Sequence, residues 1–334
     1  MVAIIGITIL TFLFYFLASF NTSSATHRFV FIILFVLSTF ILRIIINPEL
    51  NKDYFGYFDF HDFSMPGNFM SFLLGEPYLK IIYLFFNLFT EDKVLIFLGI
   101  YWFNLMISNA FFIWLLTRTD VQMWKKILLF SFFYFLFAFV LIRNSPAYIL
   151  FALFFYYSFR DKNFNWVLCT PFIHISSVAV LVTYFHCKKN YYLFLMLFLV
   201  VAATLVRFVL PTISNSFAVE MTLSKVDTYS AEMEVVSVFH KVYFIFITST
   251  VFITALVYKR QLLHPIILTT VFLYYISFAV NPIVAFRFVP YLLFSILFFN
   301  YIGNYNQERT RIFNIISFLL LPYFIYTLID THYL

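Results

Sequence analysis

Two arginines stand where an apolar chain least tolerates them. Arg143 opens the stretch RNSPAYILFALFFYYSFRDKNFNWVLCTPFIHISS, which runs to Ser177, and Arg287 lies between the apolar runs PIVAF and FVPYLLF. A guanidinium at bilayer depth costs roughly 2.5–3.5 kcal/mol on insertion scales, so a chain that keeps one there uses it or lets it snorkel to a headgroup. Asn144-Ser145-Pro146 follows Arg143 and predicts a helix start with Ser145 as N-cap and Pro146 as the first helical residue. Arg143 then stands at a helix mouth, where the positive dipole end adds to its own charge. That combination suits a diphosphate, which a guanidinium bonds bidentately. Asn281-Pro282 repeats the device before Arg287, and Pro290 breaks the helix again just after it. Arg43 and Arg207 lie near the ends of their apolar runs and reach the interface more easily.

His174 is the candidate acid–base group of this stretch, because an imidazole titrates near neutrality; the bland alternative is a packed, hydrogen-bonded histidine. The loop 47–77 alternates rings and carboxylates: Asp53, Tyr54, Tyr57, Asp59, His61, Asp62 and Glu76. Flat rings stack on the C–H faces of sugars and carboxylates accept hydrogen bonds from hydroxyls, so the loop suits carbohydrate. An interfacial helix with an aromatic belt accounts for Phe58, Phe60 and Asp62 equally well. No carboxylate spacing here is that of a metal site. A second loop, 210–241, carries Lys225, Asp227, Tyr229, Glu232, Glu234 and His240, and reads as a lid or as an interfacial helix.

The elements that must position these groups are membrane helices. Of 334 residues 63% are hydrophobic, 24% aromatic and 11% charged, where a soluble domain carries about 25% charged residues. Apolar runs near 1–20, 29–46, 78–90, 94–116, 127–142, 147–159, 166–187, 191–209, 242–258, 266–280, 288–302 and 312–329 predict an all-α polytopic bundle of ten to twelve spans. It forms one transmembrane domain over 1–334, interrupted by the two long loops. The first run lacks a basic n-region and reads as a retained helix. Cys169 and Cys187 imply neither a disulfide framework nor a metal site.

The runs 78–90, 127–142 and 147–159 are too short to cross ~30 Å comfortably. Basic loop residues set orientation: Arg118, Lys125 and Lys126; Arg160 and Lys162; Lys188 and Lys189; Lys259 and Arg260; Arg309 and Arg311. All fall on the cytoplasmic side if 78–90 and 166–187 enter without crossing. Then 47–77, Arg143, 210–241 and the Arg287 turn share the opposite face. Otherwise 166–187 crosses and the charge rule fails locally. The net charge of +6 resides mostly at helix ends and is no sign of nucleic-acid binding.

In order and spacing, these residues resemble the EpsG/Wzy-type family of polysaccharide polymerases. The resemblance covers roughly residues 40 to 290. It rests on Arg43, then Asp53-Tyr54 and Tyr57; on Glu76-Pro77-Tyr78; on Arg143 with Ala147; on the basic turn at Lys162; and on Phe172, His174 and Ser176. Lys52 stands where a glycine often precedes the family's aspartate. The resemblance implies a bacterial inner-membrane enzyme, loosely GT-C-like, with its active face periplasmic or extracellular. Such an enzyme moves a growing glycan from undecaprenyl diphosphate onto another lipid-linked repeat unit, in O-antigen, capsule or exopolysaccharide assembly. It implies no metal and no cofactor, membrane lipid and the lipid-linked oligosaccharide as ligands, and a chain-length regulator and a flippase as partners. On that basis Arg143 and Arg287 hold the leaving diphosphate, and Asp53 or His174 takes the acceptor's proton. Arg43, Tyr54, Tyr57, Glu76 and Tyr229 bind substrate. A ligase that passes the finished glycan to another acceptor shares donor and leaving group. A flippase for the same substrate is the other rival, though transporters often show inverted repeats and none is visible here.

Overall fold

In the computed structural model the described residues are 2–20, 24–51, 54, 58, 77–174, 176–193, 195–197, 238–258, 262–280, 282–299. Asp53, Tyr57, Glu76, Arg207 and Tyr229 lie outside them, as do most of both long loops and the apolar run 312–329. Among the described residues every regular element is helical. They are α1 (Val2–Ala18), α2 (Ala25–Ile45), α3 (Pro77–Asn87), α4 (Lys93–Thr117), α5 (Met123–Phe135), α6 (Ser145–Ser158), α7 (Thr170–Ile173), α8 (Ser177–Leu181), α9 (Val238–Tyr258), α10 (Pro265–Val280), α11 (Pro282–Phe286) and α12 (Val289–Phe298). Among the described residues four stretches are long and apolar enough to cross a membrane: Ala25–Ile45, Lys93–Thr117, Met123–Val140 and His240–Val257.

The chain divides into two compact units, the boundary falling inside α6 between Leu150 and Phe151. In the first unit α1 packs along α2, tied by Thr11 donating to Ser38 at 2.9 Å. Rings fill the space between α1, α2, α4 and α5: Tyr15 stacks on Phe130 at 3.9 Å, and Phe35, Phe112 and Tyr134 close around the pair. Polar side chains bridge this apolar core. Asn109 donates to Thr39 at 2.9 Å and accepts from Tyr134 at 2.6 Å. A buried hydroxyl or amide without a partner is expensive, so each such pair fixes one relative register of its helices.

Two sequence expectations change here. The short run 127–142 belongs to a longer helix: α5 starts at Met123 and continues through a π-helical turn over Leu136–Val140. Lys125 and Lys126 are therefore helical and buried, not loop residues. Lys126 Nζ donates to the Leu116 carbonyl at 3.1 Å, placing a cation where α4 ends and its carbonyls lack intrahelical donors. Second, Ser145 does not cap α6. Asn144 occupies the cap position, its carbonyl accepting from Tyr148 N at 3.2 Å, while Ser145 Oγ donates to Asn104 Oδ1 at 2.6 Å. A buried amide across the helix pair outcompetes the local cap.

In the second unit the C-terminal half of α6 packs on α12 through Phe151–Tyr291 at 5.0 Å and Tyr156–Phe298 at 5.8 Å. Thr270 and Ser295 join α10 to α12 by a 2.7 Å hydrogen bond. The run 166–187 is not one helix. It comprises 3-10 turns over Asn165–Cys169 and Val182–Phe185 with the short α7 and α8 between them. Tyr184 Oη donates to Asn165 Oδ1 at 3.0 Å, so the two ends of the segment meet. A stretch crossing ~30 Å of hydrocarbon would hold its ends that far apart; this one is a hairpin.

Candidate functional site

In the first unit the site grows from the end of α2. Arg43 lies in the last turn of α2 and is 2% exposed. It does not reach solvent as its position near the end of an apolar run had suggested. Its guanidinium sits 5.1 Å from the Tyr101 ring centroid and 5.4 Å from that of Phe139, between α4 and the π-helical turn. Nη2 donates to the Ile46 carbonyl at 2.6 Å, while Nε and Nη1 are buried with no hydrogen-bond partner. Two ring faces and one carbonyl stabilise the cation in part. They leave two strong donors unsatisfied in an apolar surround, an arrangement that an anion would complete.

The same place gathers other residues singled out in the sequence. Tyr54 is buried, with its ring 6.2 Å from Tyr101 and 5.4 Å from Phe58. Tyr54, Tyr101, Phe97 and Ile142 form one core cluster, and Tyr78, the aromatic after Pro77, packs against it. Lys93 donates to the Phe58 carbonyl and lies 4.4 Å from the centre of that ring. Asn51, at the foot of the first long loop, donates to the Val140 carbonyl at 3.1 Å. Arg143 follows Ile142 directly, in the turn between the π-helical segment and α6, and is half-buried. Arg43, Tyr54 and the Arg143 turn are thus brought to one region of the first unit.

The reason is local. A π-helical turn leaves carbonyls out of the i→i−4 ladder, and such turns cluster at functional sites. Here Leu141 N donates back to Leu136 O at 2.8 Å, closing the turn. Asn104 Nδ2 takes the Phe137 carbonyl at 2.5 Å, and Asn51 takes that of Val140. Asn104 and Asn51 were not identified from sequence. The available signal was the pair of asparagines, Asn104 and Asn109, within the largely apolar α4.

In the second unit His174 sits at the tip of the hairpin. It ends α7 in an extended conformation, its N–H donating to Thr170 O at 2.9 Å and its carbonyl accepting from Ser177 N at 3.0 Å. It is 1% exposed, and the neighbouring Ser177 hydroxyl is buried without a partner. Arg287 occupies the turn between α11 and α12, half-buried, its N–H donating to Val284 O at 3.1 Å. A turn at Arg287 and Phe288 interrupts the helix just before Pro290, which sits in the first turn of α12.

At the base of the hairpin a cavity of about 610 Å³ opens. Its wall includes Asp161, Lys162, Asn163, Asn165, Tyr184, His186, Cys187 and Lys188, so two of the basic turns lie at one end of this unit. The first turn is built by a Schellman closure of α6, with Lys162 N donating to Tyr157 O at 3.0 Å and Asp161 N to Ser158 O at 3.1 Å. Asp161 takes the left-handed conformation at φ 54°, which aspartate tolerates better than most residues. His264, before α10, joins this end, its ring 5.0 Å from Phe159 and 5.7 Å from His186. Burial lowers His264 to about 4, helped by the nearby His186 and opposed by Asp161. His186 is lowered by burial, against the hydrogen bond to Thr183 and the charge of Asp161. Among the described residues no three His, Cys, Asp or Glu side chains are placed to hold a metal ion.

Set against protein families, curated proteins and solved structures, the chain matches none.

Proposed function

We propose that this chain is a membrane glycosyltransferase of the polysaccharide-polymerase kind, loosely GT-C-like. It would move a growing glycan from undecaprenyl diphosphate onto a second lipid-linked repeat unit on the outer face of a bacterial inner membrane. The observation that carries the reading is the Arg43 guanidinium, enclosed by rings with two N–H groups unsatisfied. A fixed, desolvated cation of that kind stabilises developing negative charge without reorganising at the moment of reaction. Arg143 in the first unit and Arg287 in the second each offer a guanidinium suited to a diphosphate. Asp53 or His174 accepts the proton of the attacking sugar hydroxyl as its oxygen bonds the donor's anomeric carbon and the bond to the diphosphate breaks. Tyr57, Glu76 and Tyr229 orient sugar, the rings by stacking and the carboxylate by hydrogen bonding, whereas Tyr54 is buried against Phe58, Phe97 and Tyr101 and supports the Arg43 region instead. The guanidiniums supply the positive charge, so the scheme calls for no metal or cofactor. The hairpin over 165–185 supports a re-entrant element, and with it the topology that gathers the basic loops on the cytoplasmic side.

Lipid-linked glycans extracted from a deletion strain and sized by electrophoresis and mass spectrometry test the proposal. Accumulated single repeat units support a polymerase. Long chains stranded on the carrier support the ligase reading instead, and unchanged glycans overturn both. In complemented cells Arg143→Ala and Arg287→Ala should each abolish extension while the protein still inserts, and lysine should rescue poorly because it loses the bidentate fork. Normal chain length from both alanine variants removes these arginines from the mechanism.

A further inference from the structure

The cavity at the hairpin base holds a thiol–imidazole pair that the proposed transfer does not use. Cys187 is exposed, and its Sγ lies 3.1 Å from His186 Nε2. The other ring nitrogen, Nδ1, lies 3.0 Å from the Thr183 carbonyl oxygen. A carbonyl only accepts, so Nδ1 carries the proton and Nε2 of the neutral ring presents its lone pair to the thiol. This is the nucleophile–base–orienter arrangement that activates thiols. The surroundings of the pair indicate its reaction partner. The wall carries the ammonium groups of Lys162 and Lys188 against the single carboxylate Asp161, together with the amides of Asn163 and Asn165. The volume, about 610 Å³, is that of a small-molecule site.

We infer that Cys187 is a thiol-modification site whose partner is a small anionic disulfide, of the kind in which a low-molecular-weight thiol carries carboxylates. In the exchange the Cys187 proton passes to His186 Nε2 as Sγ attacks one sulfur of the disulfide. The disulfide's S–S bond breaks, a mixed disulfide forms on Cys187, and the departing thiolate takes the proton back from His186. Lys162 and Lys188 attract the incoming carboxylates. Modification fills the cavity beside the Asn165–Tyr184 hydrogen bond that closes the hairpin carrying His174.

Cys169 supplies an internal control, since it is also exposed but is flanked by Leu168 and Thr170. The experiment uses the full chain purified in detergent, as Cys169→Ala and Cys187→Ala variants, incubated at pH 7 with glutathione disulfide or with neutral hydroxyethyl disulfide. Adduct formation is followed by intact-protein mass spectrometry. Cys187 should react on the order of tenfold faster than Cys169. His186→Gln should bring it down to the rate of Cys169, and Lys162→Ala with Lys188→Ala should slow glutathione disulfide several-fold but not the neutral reagent. Equal rates at the two cysteines in the otherwise native chain overturn the inference, whether or not the His186 variant folds. So does an unchanged Cys187 rate in a folded His186→Gln protein. Loss of the preference for glutathione disulfide over the neutral reagent in the native chain removes the anionic partner.

Discussion

Replacing Asn104 by alanine removes three buried hydrogen bonds at the junction that leads to Arg143, one of them a long 3.4 Å contact to the Ala138 carbonyl, and the two short ones decide the cost. Nδ2 donates to the Phe137 carbonyl at 2.5 Å, and Oδ1 accepts from Ser145 Oγ at 2.6 Å. Asn104 is 1% exposed and Ser145 fully buried, so water does not replace the lost partner. Each stranded polar group costs about 1–3 kcal/mol, giving a ceiling of about 6 kcal/mol for the two. Hydrogen bonds between membrane helices average nearer ~0.6 kcal/mol, because the dissociated helices find other partners. Between these limits we expect a loss of about 2–3 kcal/mol, read as a lowered midpoint of unfolding in a detergent titration. Ser145→Ala alone should cost about 1 kcal/mol. The double variant should cost less than the sum by about 1 kcal/mol, since the hydroxyl left orphaned by Asn104→Ala is then absent. The proposed transfer should slow as well, because the turn bearing Arg143 is no longer fixed. A single-variant loss below about 0.5 kcal/mol, or strict additivity in the cycle, would refute the assignment of this asparagine as the clamp of the π-helical turn.

Arg43→Met should leave stability within about 1 kcal/mol of the native chain, since an incompletely paired buried cation is exchanged for an apolar chain of similar volume. The proposed glycan extension should nevertheless be lost, and a stable variant with unchanged glycans relative to the native chain would exclude Arg43 from the proposed site. A membrane-impermeant maleimide should label cysteine at position 163 and the native Cys187 from the same face, because Asn163 and Cys187 line one cavity; labelling from opposite faces would show that 165–185 crosses. His264, lowered to about 4 from the ordinary 6.5, binds its proton less readily in the folded chain than in the unfolded one. Stability of the second unit should therefore fall as pH drops from 6.5 towards about 4, and be unaffected by this group above that window. His264→Gln should flatten that part of a melting-against-pH curve, and an unaltered curve would place the acid sensitivity elsewhere.

Composition and run length predicted a bundle of apolar helices: a helix satisfies its backbone within its own segment, and a barrel strand would alternate apolar and polar residues where these runs are continuous. Pro290 also marked a local break, because a missing N–H and a locked φ act through neighbouring residues only. Contacts between distant residues were not legible in this way. Whether Arg43 snorkels or is enclosed depended on Tyr101 and Phe139 arriving from two other elements. The π-helical turn and its asparagine clamps were hidden because the turn itself is written in Leu, Phe, Ala and Val, and Asn104 lies 33 residues from the carbonyl it holds. The run 166–187 reads as a span by hydropathy, yet its ends are joined by one hydrogen bond between residues 19 apart. Hydropathy sums what each residue prefers, whereas whether a chain crosses or turns back is decided by which surfaces its ends find, and only the folded molecule contains that information.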